Sequence, residues 1–197
     1  MKKLSLVLVL IGVAIISSSF INKPIRKAKT KSLRSLSKSL AFPVAGKRSN
    51  IGSFWGASRD GGSRSHEGID IFAKKGTPVV AIANGTIVSR GKTPKGGKVL
   101  WLKSAAHSWT AYYAHLDKQQ VKEGQYVRKG QVIGTVGNTG NAKHTPSHLH
   151  FGIYTGKGPV NPLPYVKHSP KVITKKAVIK KKTTAKRAKS KQRKAIR

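Results

Sequence analysis

Val79-Val-Ala-Ile-Ala-Asn84-Gly85-Thr-Ile-Val-Ser89 is the stretch that decides the fold class. An apolar run, an Asn-Gly pair and a second apolar run read as strand, two-residue turn and strand, because both turn positions tolerate positive φ. Lys98–Lys103 and Thr110–His115 predict a second pair across a short loop containing Ser104 to Ser108. Gln131–Val136 and His148–Tyr154 predict further strands between Gly- and Asn-rich turns. Gly76-Thr-Pro-Val-Val and Gly130-Gln-Val-Ile each follow a lysine and enter a strand, the hint of a short repeat. Beyond the first twenty or so residues, no window of about 11 shows helical periodicity. Short strands at regular spacing predict an all-β, antiparallel two-sheet sandwich or flattened barrel.

Composition bounds what surrounds that segment. The chain has 197 residues and a net charge of +35, with 40 Lys+Arg against 5 Asp+Glu. Such an imbalance favours polyanions as partners and says nothing of the fold. With no cysteine, disulfides, thiolate metal sites, a cysteine nucleophile and a lipid-modified cysteine are all excluded. Lys2 and Lys3 precede an apolar run from Leu4 to Ile16, and Ser17 to Ser19 follow. This reads as a signal peptide over 1–20. A membrane anchor is the rival, since the apolar span reaches Ile21 and about 17 residues can cross a bilayer. Either reading puts the rest of the chain in the cell envelope, periplasmic or secreted.

Residues 21–41 are basic and Ser-rich, which predicts a flexible linker. Gly, short apolar runs and nearly all aromatics concentrate in 42–166, the predicted domain. Lys167 to Arg197 carries 14 Lys+Arg and no acid, so a disordered basic tail is expected. Its charge suits anionic envelope polymers or lipids, and without aromatics it offers no base-stacking surface for specific nucleic acid.

The chemistry-bearing residues are histidines. His66-Glu-Gly-Ile-Asp70 and His148-Leu-His150 place side chains at i and i+4, or i and i+2, which share a face of an extended chain. Two imidazoles and a carboxylate suit zinc, and three protein ligands leave a fourth position open. Alone, each pattern is weak: one His-x-His on a strand is more often decoration than a metal site. The first motif is not the helical His-Glu-x-x-His, because Gly68 opposes a helix and no histidine stands at the fourth place; Glu67 is a poor general base.

Together the motifs carry more. Gly52-Ser-Phe-Trp-Gly-Ala-Ser-Arg59, His66-Glu-Gly-Ile-Asp-Ile71, Gly76-Thr-Pro-Val-Val-Ala81, Asn84-Gly-Thr-Ile-Val88, Tyr113-Ala-His-Leu116, Val127-Arg-Lys-Gly-Gln-Val-Ile-Gly134, Gly137-Asn-Thr-Gly140 and His148-Leu-His-Phe-Gly152 follow one another in order. Residues Asn50 to Pro162 thereby resemble the lysostaphin/LytM-type zinc metallopeptidases, peptidoglycan endopeptidases of a barrel-sandwich hybrid fold. The resemblance implies Zn2+ held by His66, Asp70 and His150, with His115 and His148 near the metal as catalytic groups. It implies a monomeric endopeptidase that hydrolyses cross-links or stem peptides of bacterial peptidoglycan, by attack of a zinc-activated water assisted by the two histidines. A non-catalytic wall-binding or amidase-activating module of the same fold is the alternative, against which the complete set of five residues argues. His107 and His168 are expected outside the site and His144 at most on its edge. Trp55, Trp101 and Trp109 are expected in the core or the groove wall.

Overall fold

Alternation of large apolar and polar side chains dictates the architecture. In a computed structural model, which describes residues 32–173, twelve strands form: β1 (Asn50–Ser53), β2 (Ser58–Arg59), β3 (Arg64–Ser65), β4 (Ile69–Phe72), β5 (Pro78–Val80), β6 (Gly85–Thr93), β7 (Gly97–Ser104), β8 (Thr110–Gln119), β9 (Tyr126–Val127), β10 (Val132–Val136), β11 (His148–Thr155) and β12 (Gly158–Val160). All pairings are antiparallel. The main path runs β1-β4-β11-β8-β7-β6-β9; β10 leaves it from the end of β8 and pairs with β5. Ile69 and Ile71 of β4, Leu100 and Leu102 of β7, Tyr113 of β8, and Leu149 and Phe151 of β11 point inward with no exposed surface. Val79 of β5 and Ile133 of β10 meet them in one core. The Tyr113 hydroxyl accepts a hydrogen bond from the Ile82 amide at 3.1 Å, tying the two layers together through the interior. The expected antiparallel sandwich or flattened barrel is the fold observed.

Two expectations need correction. Asn84-Gly85 joins no hairpin, because β5 pairs with β10 while β6 pairs with β7 and β9. The Asn84 carbonyl accepts from the Ala105 amide, and its side-chain oxygen accepts from the Lys129 amide at 2.7 Å. Gly85 is needed for space: a Cβ there would run into the Lys103 carbonyl of β7. The faint repeat has substance instead. Gly76 and Gly130 both adopt positive φ; the Gly76 amide donates to Val136 O and the Gly130 amide to Ala81 O, each at 2.8 Å.

The second correction concerns the domain edges. Residues 32–39 are helical, and Ser37 and Leu40 are buried, so the linker expected through residue 41 is packed at its end. Leu33, Leu36, Ser37 and Leu40 share a face, and Leu36 and Leu40 reach the core. Within the expected tail, Ser169 donates to Ser37 O, Pro170 O accepts from the Phe42 amide and Val172 O from the Gly46 amide. Residues 167–173 thus belong to the domain. The expected signal or anchor (1–20) lies outside the described residues, as do the start of the linker and the tail from 174 onward. No helix among the described residues is long and apolar enough to cross a membrane.

Gly85→Ala is expected to destabilise the fold by about 2 kcal/mol in urea unfolding, through the clash with the Lys103 carbonyl. A neutral or stabilising result would point to unused space at that position.

Candidate metal centre

Three neighbouring strands present the site. On the outer face of β4, Asp70 stands opposite His150 of β11, and His150 stands opposite Ala114 of β8. His148, two residues before His150, stands opposite Phe72, with ring centroids 5.2 Å apart. The alternation that buries Ile69, Ile71, Leu149 and Phe151 therefore forces Asp70, His148 and His150 outward. His66 comes from the turn before β4. Its Nε2 lies 3.1 Å from Asp70 Oδ1 and 2.9 Å from His150 Nδ1; His150 Nδ1 is 3.0 Å from the same Oδ1. These three residues form a candidate metal-ligand group whose ligand atoms lie within 4.8 Å of one another.

The surroundings prepare that donor set. His66 Nδ1 donates to the Phe54 carbonyl at 2.9 Å, which leaves Nε2 with a lone pair aimed at the cluster. Arg59 Nη2 donates to Asp70 Oδ2 at 2.6 Å and to Ser53 Oγ at 2.8 Å, so the carboxylate oxygen turned from the cluster is neutralised. Burial pushes the Asp70 carboxyl up, but the polar contact of His150 and His66 outweighs it and holds it well below the usual range. Burial pushes His150 down, favouring the neutral ring that a metal requires. Gly68 makes room: a Cβ there would lie 2.8 Å from both His150 Nε2 and the Phe151 carbonyl. Two imidazole nitrogens and a carboxylate oxygen, turned on one another at about hydrogen-bond distance, repel unless a proton or a cation sits among them. The set fits zinc.

His115 reaches the same face by a different route. In a regular strand it would follow Tyr113 into the core. Instead β8 carries a bulge: Lys98 and Leu100 of β7 oppose Leu116 and Tyr113, so Ala114 and His115 share one place, and His115 takes φ +60°. Its amide donates to Gly96 O and its Nδ1 to the Thr139 carbonyl, both at 2.8 Å. The His115 ring lies 4.9 Å from that of His148 and 6.0 Å from that of His150. His148 Nδ1 in turn donates to the Pro146 carbonyl at 2.9 Å. Burial drives the His115 pKa down to about 4, so its ring is neutral at pH 7.

All five residues line one cleft of about 550 Å³. Tyr112 and Tyr154 form an aromatic flank, with the Tyr112 ring 5.9 Å from His150 and 4.4 Å from Trp101. Glu67 is exposed on the cleft rim, outside the ligand group. His107 stacks on buried Trp109 in the β7–β8 loop, and His168 binds Ser37 Oγ through its amide. His144 is exposed and not part of the cleft lining. Sequence reasoning assigned no role to Arg59 or Thr139; the one signal for either was its place inside a matching motif.

Comparison with known proteins supplies the family. The model of "Peptidase family M23" matches residues 64–162. An L-Ala–D-Glu endopeptidase of Bacillus subtilis is 40% identical over 114 residues, covering 54% of this chain and 35% of that protein. The murein hydrolase activator NlpD of Escherichia coli is 39% identical over 113 residues, covering 57% of this chain and 28% of that protein. The chain therefore spans about a third or less of the length of these relatives. Among solved structures, the catalytic domain of lysostaphin from Staphylococcus simulans superimposes with a TM-score of 0.54 at 36% identity. That match covers 60% of this chain and 92% of the other.

Two outcomes are expected. Gly68→Ala displaces the His150 ring and weakens zinc binding by about tenfold or more in competition with a chromophoric chelator. The second concerns pH. Between about 6.5 and about 4 the unfolded state takes a proton that folded His115 refuses, so its contribution to stability declines as pH falls through that window. His115→Asn, which tolerates the positive φ, should flatten the pH dependence of urea unfolding there in chelator-treated protein.

Proposed function

The chain belongs to peptidase family M23, and on that premise we propose that it is a zinc-dependent endopeptidase acting on the peptide part of bacterial peptidoglycan. The observation that carries the reading is the convergence of His66, Asp70 and His150 beside two outward imidazoles tied to backbone carbonyls. His66 Nε2, His150 Nδ1 and Asp70 Oδ1 would hold the metal. When bound, zinc supplies a Lewis acid that polarises a carbonyl and acidifies water to a pKa of about 7.

The chain's own residues move the protons. With Nδ1–H donating to Thr139 and Pro146, His115 and His148 each turn Nε2, the atom that can take a proton, away from the backbone. Once protonated, the same atom can stabilise the tetrahedral oxyanion or deliver the proton to the leaving amine. Arg59 orients Asp70 through its hydrogen bond to Oδ2. Tyr112 and Tyr154 wall the cleft on one side, Phe72 and His148 on the other, so an extended peptide lies across three strands with its scissile carbonyl near His150.

The remaining segments fit an envelope enzyme. We propose residues 1–20 as an export signal or anchor and the Lys/Arg-rich segment from 167 as a contact to anionic envelope polymers. A second reading, activation of a separate wall hydrolase, is favoured by a similarity to NlpD (39%) close to that to the endopeptidase (40%).

Zinc-loaded protein should release peptide fragments from purified peptidoglycan, read by mass spectrometry. His115→Ala and His148→Ala should each cut turnover by about a hundredfold or more while retaining zinc. His66→Ala should lose both metal and activity. A zinc-loaded protein that releases nothing, yet stimulates an added amidase, would establish the activator reading instead.

A further inference from the structure

The chain's few acids are unevenly placed. Asp60, Glu67 and Asp70, three of its five, line the cleft, where Arg64 and Arg59 pair with two of them. Next to that cleft is a second cavity of about 610 Å³ lined by Lys92, Lys98 and Lys143, with no acid among its described lining residues. One turn separates the two. Lys95 and Gly96, between β6 and β7, line the cleft, while Lys92 and Lys98 on either side line the lysine pocket.

The pocket is fixed to the catalytic machinery. Thr139 sits in its wall; its carbonyl accepts from His115 Nδ1, and its hydroxyl donates to Leu116 O and accepts from the Lys98 amide. The Asn141 amide donates to Lys95 O, joining the same loop to the same turn. Lys98 Nζ is steadied at 2.7 Å by the Asp117 carbonyl, and Lys92 and Lys143 are exposed at the rim. An extended peptide whose scissile bond lies beside His115 has a neighbouring residue within reach of this pocket. Three lysines with no acid among the described lining residues suit an anionic oxygen group.

We propose that this lysine pocket is a substrate subsite for a free carboxylate of the stem peptide, and that it makes the enzyme prefer acidic over amidated substrate. The proposal rests on the peptidase reading and names what the same cleft selects.

The test uses two synthetic stem peptides that differ only in whether the glutamate carboxyl is free or amidated. Equilibrium binding and turnover are measured on full-length zinc-loaded protein at low salt. Exposed ion pairs contribute modestly, so the free acid should bind about fivefold to tenfold more tightly than the amide, through KM rather than kcat. Added salt should erode that margin. The double variant Lys92→Gln/Lys143→Gln should lose the preference by weakening the acid alone, leaving the amide unchanged. Equal binding of both peptides, binding of neither, a preference that survives in the double variant, or a variant that weakens both alike would each overturn it. Discrimination in binding without cleavage would leave the subsite standing and remove the peptidase reading, so the two fail separately.

Discussion

The register of β11 between β4 and β8 is the constraint on which everything else depends. Leu149, Phe151 and Ile153 must face the core, and the side-chain period of a strand is two, so His148 and His150 must face the cleft. A slip of one residue would bury two imidazoles and expose three large apolar groups. Core packing and site geometry are therefore one requirement, enforced by the most buried part of the protein. Side chains presented from paired strands are held more rigidly than those on loops, which suits a cluster whose members stand about 3 Å apart.

Charge imposes the second requirement. A carboxylate as buried as Asp70 is costly unless every lone pair is met, and here both oxygens are. Oδ1 faces two imidazoles, while Oδ2 receives a guanidinium delivered by the short β2–β3 ribbon. The ribbon has no core of its own, and its described contribution is to bring Arg59 to Asp70. In a chain with net charge +35, an acid at this point is also where a cation can best be held against the general repulsion.

How far these features were legible in the sequence follows from whether they are local. The cleft-facing alternation of His148-Leu-His150 is local, and so are the strand runs and the glycine turns. The orientation of His115 is not, because a regular strand would send it inward and only the pairing of β8 with β7 reveals the bulge. Asn84-Gly85 was misread for the same kind of reason: a pair that usually turns the chain here answers to the approach of the Lys103 backbone. The helix at 32–39 was hidden by its length, since eight residues with three inward positions do not stand out from a Ser-rich basic stretch. Arg59 lay in a recognisable motif, but a salt bridge across 11 positions leaves no periodic trace.

The packed ends of the domain have a consequence for the whole sheet. The outer edge of β5 pairs with 43–45, where Ala45 donates to Pro78 O and Val80 to Pro43 O; that segment in turn receives 170–172. Backbone groups that would otherwise template a second molecule are thus occupied by the chain's own flanks, with Lys171 spread over the Phe42 ring and bonded to Ser49. Each flank holds the other in place, so a cut or a loosening at either one uncovers the same open edge. For a protein with so many positive charges, that self-made hem guards against strand-to-strand aggregation wherever salt or polyanions screen the electrostatic repulsion.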